Sequence, residues 1–311
     1  MKNKFPLVSV GIPTYNRPEG LRRTLECITG QTYKNLEIIV SDNCSPGPET
    51  EAVAREFMEK YPRIQYFRQQ ENKGGAFNFK FVLEKATGEY FMWAADDDVW
   101  DKSYIKVCLA NMGDGVTVFS GYSAIYRNRG KIIPRSLPIL SPQQKTIINL
   151  TNFSKMTRPS IIYGLHKIGS IRDFVRKTPF FDFFDVAFVI HQIVSGGVTT
   201  VPGDYYIADK REGDLQYKPM EPEFWRLFKY SKFFIYAAPL ILRSDNLTLK
   251  EKIIGFIYFI NMTSRFIVNY ENTSILYHKR LEFFVARIIF PMTEKIIHCH
   301  RGRARVMPQK L

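Results

Sequence analysis

The sequence predicts an α/β fold: a mostly parallel central sheet of Rossmann-like type, flanked by helices, followed by a helical C-terminal region. Three observations carry this. Strand-like and helix-like runs alternate through the first hundred residues. The strand-like runs are apolar throughout, as strands covered on both faces must be. Each of them ends on a cluster of polar residues, and open parallel sheets bind their ligands beyond the carboxyl ends of the strands.

Residues 7–12 (LVSVGI) read as the first strand, and residues 18–30 as a helix with Leu21, Leu25 and Ile28 on one face. Residues 36–40 (LEIIV) form the second strand, 49–61 a helix, 64–67 a third strand and 76–86 a further helix. The fourth strand runs directly into three aspartates. The polar ends are Pro13-Thr14-Tyr15-Asn16-Arg17, Ser41-Asp42-Asn43, Gln70 to Gly75, and Asp96-Asp97-Asp98. Beyond residue 101 the alternation loosens. Residues 115–127 read as a β segment and 131–149 as a proline-rich loop. Residues 184–194 read as an apolar helix, 198–201 as a short strand, and the chain from 221 onward as helical and aromatic.

With 311 residues and 45% hydrophobic composition, the chain can bury a large core without staples. Its four cysteines show no CxxC spacing, so neither a zinc ribbon nor a disulfide scaffold is expected and the thiols read as cytoplasmic. The N-terminal apolar run is too short for a signal peptide, and the longest apolar stretches are too short or too interrupted for a transmembrane helix. A formal net charge of +14 implies an anionic partner. Residues 218–311 carry 16 Lys and Arg against 7 Asp and Glu, so the basic character belongs mainly to that part.

The segment GEYFMWAADDDVWD at 88–101 is the most informative. Three carboxylates after a buried strand are costly unless neutralised, and a divalent cation carrying an anionic ligand would neutralise them. A solvated acidic turn that caps a helix is the plainer alternative.

Three stretches resemble the family 2 inverting glycosyltransferases, which have the nucleotide-sugar-binding GT-A fold: residues 8–45, ENKGG at 71–75 with Asn78, and ATGEYFMWAADDD at 86–98. The resemblance covers roughly residues 5–105 and continues more weakly to about 211. It implies a metal-assisted direct displacement, with Mn²⁺ or Mg²⁺ offsetting charge on the departing diphosphate. Ala95 stands where relatives often have an acid, which makes Asp97 the first choice as metal ligand, with Asp98 beside it and Asp96 on metal or ribose. The turn Pro13, Tyr15 and Asn16 matches the nucleotide-contacting loop. Asp42 matches the acid that reads a base edge, with an Asx-turn in Ser41-Asp42-Asn43 as the lesser alternative. Lys73 and Asn78 complete the implied donor site.

Inversion requires a base for the acceptor hydroxyl. Asp185 occupies the family's position for it, with Asp182 as runner-up, although Asp185 could also be a helix cap. His166 and His191 read as structural. Lys210 and Arg211 could reach the diphosphate or lie in solvent. The processive signature Gln-x-x-Arg-Trp is missing, which argues against long-polymer synthesis.

On this resemblance residues 1–110 form the donor half of the GT-A domain, 111–217 the acceptor half, and 218–311 a basic, aromatic helical region. In that last region Arg226, Lys229 and Lys232 recur beside Phe224, Trp225, Phe228, Phe233 and Phe234, a pattern that suits an anionic membrane surface or a core or homo-oligomer helix. Arg301, Arg303 and Arg305 form a basic tail with the same two readings. The implied activity is transfer of one sugar from a nucleoside-diphosphate sugar, UDP-sugar ahead of dTDP-sugar, to a hydroxyl of a cell-surface glycan or lipid-linked saccharide precursor. The expected location is cytoplasmic, peripheral on the inner face of the membrane. Two competing functions are a nucleotidyltransferase acting on sugar phosphates and a nucleic-acid-binding protein. The first would carry a glycine-rich basic loop after strand one, and the second is disfavoured by acids at the rim.

Overall fold

The computed structural model describes residues 5–121, 123–126, 131–134, 137–155, 160–181, 184–203, 205–210, 232 and 235–270. In chain order, β1 (Val8–Thr14), α1 (Pro18–Thr29), β2 (Leu36–Asp42), α2 (Glu49–Lys60), β3 (Ile64–Arg68), α3 (Gly75–Lys85) and β4 (Tyr90–Trp93) form the alternating first part. There follow β5 (Asp98–Trp100), α4 (Tyr104–Ala110), β6 (Thr117–Ser120), β7 (Ser123–Tyr126), β8 (Lys131–Pro134) and α5 (Thr146–Phe153). The last described elements are β9 (Leu165–Lys167), α6 (Ile168–Lys177), α7 (Phe184–Ser195), β10 (Val198–Val201), β11 (Tyr206–Lys210), α8 (residues 235–242) and α9 (Leu249–Tyr270).

β1 and β2 are buried at every residue, the polar Ser9, Thr14, Glu37, Ser41 and Asp42 included, as strands covered on both faces are. α1 opens on Pro18, whose fixed φ suits a first helical position, and buries Leu21, Leu25 and Ile28 on one stripe. The main sheet has the order β10-β6-β9-β4-β1-β2-β3. Its strands are parallel except β9, which runs antiparallel to both β4 and β6. Strands from both halves of the GT-A reading therefore share one sheet.

A smaller sheet has the order β5-β11-β7-β8. The single β segment expected over 115–127 is in fact two strands that belong to different sheets. Gly121 separates them at φ +72°, and a Cβ there would lie 2.0 Å from the Gly203 carbonyl oxygen, so only glycine permits the crossing. The loop expected over 131–149 instead contains β8 and the start of α5. Proline misled that expectation: Pro134 sits at the end of an edge strand, where a missing N–H costs little.

The core is aromatic around the end of β4. The Trp93 ring meets Phe91 at 4.8 Å, Phe188 at 5.5 Å and Phe184 at 6.3 Å between centroids. Its indole N–H donates to the Phe79 carbonyl at 2.9 Å. His166 is buried beside it, shares a hydrogen bond with the Thr117 hydroxyl, and is pushed down to about 4 by burial, so it is neutral and structural. No helix among the described residues is long and apolar enough to cross a membrane. Asp182, Arg211, Phe224, Trp225, Arg226, Phe228, Lys229, Phe233, Phe234, Arg301, Arg303, Arg305 and the Lys210 side chain lie outside the described residues.

Candidate active site

Parallel register brings the strand ends to one rim. Thr14, the last residue of β1, pairs in register with Asp42, the last of β2, and the chain leaves β4 through Ala94 to Asp97 beside them. Side chains then lock the ends together. The Thr14 hydroxyl donates to Asp96 Oδ2 at 2.7 Å, and the Asn43 backbone N–H donates to the Thr14 carbonyl at 3.0 Å. From α3, the Asn78 amide donates to the Thr14 and Ser41 carbonyls at 3.2 and 2.9 Å and accepts from the Ser41 hydroxyl at 2.5 Å. Asn78 is buried and engaged on three sides, so its place is behind the rim, holding β1 to β2.

At the β2 end, Asp42 is fully buried. Its Oδ1 accepts from the Ser45 N–H at 2.9 Å and hydroxyl at 2.6 Å, and its Oδ2 accepts from the Tyr66 hydroxyl at 2.9 Å. This is the Asx-type turn, with a tyrosine added. Ser45 in turn accepts from the Asn16 N–H at 2.8 Å, which ties the turn after β2 to the turn after β1. Asn16 itself takes a left-handed φ of 53°, a conformation asparagine tolerates better than most residues. Pro13 is buried, whereas Tyr15 is 44% exposed and stands above this floor. Lys73 is exposed near the same edge: its N–H donates to Asn43 Oδ1 at 3.1 Å, and its ammonium lies 5.1 Å from the Phe77 ring centroid and 3.6 Å from Glu71.

The three aspartates diverge. Asp96 is buried, receives Thr14 and the Arg17 guanidinium (3.2 Å), and is pushed up to about 6, chiefly by desolvation. Asp97 keeps 31% side-chain exposure, with Arg17 at 3.0 Å from Oδ2. Asp98 is buried in β5 and accepts from the Tyr206 hydroxyl at 2.6 Å across the antiparallel β5–β11 pair. The cluster is therefore not a solvated turn. Gly20 allows α1 to press on it, since a Cβ there would lie 2.1 Å from the Asp96 carbonyl oxygen. Among the described residues, no three His, Cys, Asp or Glu side chains converge to hold a metal. Hard carboxylate oxygens at a rim still suit the mode in which one or two acids and a substrate's phosphates share Mg²⁺ or Mn²⁺. Asp97 fits that mode by exposure, whereas the Asp98 carboxylate is committed to Tyr206.

Asp185 lies in the first turn of α7, partly exposed. Its Oδ1 accepts from the Val186 N–H at 2.8 Å, and desolvation by the surrounding protein pushes it up to about 6. The adjacent Phe184 ring packs edge-on against Phe79 and Trp93, which sets the start of α7 against the carboxyl end of β4. His191, further along α7, is buried, bonded to Asp173 at 3.2 Å and lowered by burial, a structural histidine as expected.

Sequence reasoning set Thr14 and Arg17 in the polar run after β1 without giving either a role, and passed over Ser45, Tyr66 and Tyr206. Arg17 had a visible signal, a cation in the polar run after β1. The two tyrosines had none, because their partners are set by strand pairing far along the chain.

Residues 9–174 match the family described as Glycosyl transferase family 2. A putative colanic acid biosynthesis glycosyl transferase of Escherichia coli strain K12 is 32% identical over 147 residues, 45% of this chain and 50% of that protein. A Campylobacter jejuni GalNAc(5)-diNAcBac-PP-undecaprenol beta-1,3-glucosyltransferase is 38% identical over 95 residues, 30% of each chain. The chain spans from 19% to 50% of the length of the first three curated relatives it matches. Among solved structures, Staphylococcus aureus TarS 1-349 in complex with UDP-GlcNAc superposes with a TM-score of 0.64 at 19% identity, over 90% of this chain and 76% of that one, a likeness of fold.

Proposed function

The chain belongs to glycosyl transferase family 2, and from that premise we propose that it transfers one sugar, with inversion, from a nucleoside-diphosphate sugar to a hydroxyl of a cell-surface glycan or lipid-linked saccharide precursor. The observation that carries this reading is the rim itself: the ends of β1, β2 and β4 are knitted by Thr14, Asn78 and Asp96 around an exposed Tyr15 and Asp97. Relatives named for colanic acid biosynthesis and for a polyprenyl-linked acceptor support the acceptor class, and a fold neighbour holding UDP-GlcNAc supports a UDP-sugar ahead of a dTDP-sugar.

In this reading the Tyr15 ring lies against the base, with Pro13 and Asn16 shaping the turn beneath it. Asp42 meets the base edge through the turn it holds, a direct contact requiring Tyr66 or Ser45 to give way. Lys73 and Arg17 supply cations for the diphosphate. Asn78 positions the floor, and Asp96 faces the ribose through the Thr14 turn. Asp97 would hold the metal, with Asp98 fixing the backbone beside it. A divalent ion bound there would offset the negative charge that builds on the leaving phosphate. Asp185 accepts the proton of the acceptor hydroxyl, and an acid raised toward neutrality is matched to that task. Residues 1–110 serve as the donor half and 111–217 as the acceptor half, with residues 218–311 serving an anionic membrane surface on the cytoplasmic side or a second copy.

A donor screen tests the reading. The protein is incubated with UDP-, dTDP-, GDP- and CDP-sugars plus Mn²⁺ or Mg²⁺, and binding and slow donor hydrolysis are measured. UDP-sugar should bind best and hydrolyse slowly; if none of the four binds with metal present, the proposal fails.

A further inference from the structure

The Arg17 guanidinium spans two carboxylates that lie on a different strand end from its own. It leaves β1 in the turn between Asn16 and Pro18, and reaches Asp96 Oδ1 at 3.2 Å and Asp97 Oδ2 at 3.0 Å. Asp96 cannot turn away, because Thr14 fixes its other oxygen. Asp97 is the most exposed acid of the three, at 31% of its side chain, and the same Arg17 nitrogen lies 3.0 Å from its Oδ2. A guanidinium at this distance neutralises the pair by charge-assisted hydrogen bonds, and it repels a dication approaching the same oxygens. The Arg17 side chain is itself 43% exposed, so its pairing with these two acids takes place at the surface.

We propose that Arg17 is a placeholder cation: it holds Asp96 and Asp97 while no donor is bound, keeps a divalent ion off Asp97, and yields when a nucleoside diphosphate offers it a second anionic partner. The inference rests on the donor-site reading above and adds an order of events. A diphosphate brings oxygens that complete the ion's coordination shell and can accept the fork of Arg17 at the same time. Metal and diphosphate then raise each other's affinity by one and the same factor, because coupling between two sites is reciprocal. Arg17 is the element through which that factor acts. It is a positioning residue for the metal, not a ligand of it.

The test measures Mn²⁺ binding by the full chain, followed by the loss of the free-ion spin-resonance signal. In the absence of nucleotide the wild-type protein should bind Mn²⁺ weakly, and UDP should tighten it on the order of tenfold or more. Arg17→Gln should bind Mn²⁺ alone about tenfold more tightly than wild type, with a smaller gain from UDP and weaker UDP binding when metal is chelated. Arg17→Lys keeps the charge and should stay near wild type in the Mn²⁺-alone arm. Unchanged or weaker Mn²⁺ binding in Arg17→Gln overturns the inference, as does an Arg17→Lys protein that binds Mn²⁺ as tightly as Arg17→Gln. The Mn²⁺-alone arm uses no nucleotide, so it decides the inference by itself. Failure of UDP to bind wild type with metal present counts against the donor-site reading instead. Because Arg17 is partly exposed, unchanged thermal melting should confirm that both variants fold.

Discussion

Asp96 and Asp185 are both raised to about 6 by burial, yet their surroundings are opposite. Asp96 stands in a mesh of side chains drawn from two other strand ends and a helix: Thr14, Arg17 and, one step removed, Asn78 and Ser41. Asp185 has only backbone N–H groups for company among the described residues, at the start of a helix with ten buried residues out of twelve. A cross-linked carboxylate is suited to holding a ligand in fixed geometry. A desolvated carboxylate is suited to taking and releasing a proton. The rim of β1, β2 and β4 and the start of α7 thus offer a carboxylate opposite settings, one cross-linked by side chains and one desolvated with only backbone donors.

The strongest way to break this comparison is Asp185→Asn. It should cut turnover by about 10² to 10⁴ while leaving donor binding intact, since a general base contributes on that order. Its pH signature follows from the raised value. Only the ionised acid accepts a proton, so turnover should climb as pH rises toward about 6 and level off above it. The stability sign is opposite: a carboxyl raised in the folded state favours folding while protonated, and that contribution is lost as pH rises through about 6. Asp185→Asn should therefore melt higher than wild type at pH 8, with the gap closing at pH 4. Full activity in Asp185→Asn would move the base to Asp182 or elsewhere, and a flat melting difference would remove Asp185 from its desolvated setting.

Next in size is Asn78→Ala, which probes the mesh. It deletes three hydrogen bonds in a buried place, takes a donor from the Ser41 carbonyl and an acceptor from the Ser41 hydroxyl, and leaves the Thr14 carbonyl with the Asn43 N–H. A loss of about 3 kcal/mol is expected from these lost bonds, read in chemical denaturation. Donor affinity should fall as well, although Asn78 is buried behind the rim. Lower stability with unchanged donor affinity would show that the mesh supports the fold without shaping the site.

How much of this was legible in the sequence follows the same division. The β1 to β4 unit repeats one pattern, apolar strand then amphipathic helix, and its polar ends fall on one rim by the geometry of parallel sheets, so motif and position could be read together. What the letters concealed was the use of each residue. Asn78 and Asp42 carry donor-site chemistry by type, yet both are engaged inward by partners from other elements. The second half has no repeating unit. β9 enters the sheet backwards, β6 and β7 part at Gly121, and β8 hides among prolines, so periodicity found a β segment and a loop where pairing made two sheets.

The smallest effect tests the seam between the halves. Tyr206, from β11, donates to Asp98 in β5, and its ring stacks on Tyr163 and packs against Phe119 and Trp100. Tyr206→Phe keeps the packing and removes one charge-assisted hydrogen bond, a change of about 1.5 kcal/mol in denaturation. If Asp98 is an anchor, Mn²⁺-dependent UDP binding should stay within about twofold of wild type, because the carboxylate remains buried in β5. If Asp98 is instead a metal ligand restrained by the phenol, releasing it should tighten Mn²⁺ and sharpen donor binding. A tightened site would place the metal between Asp97 and Asp98 and would make the β5–β11 pair, not the β1 to β4 rim alone, part of the donor machinery.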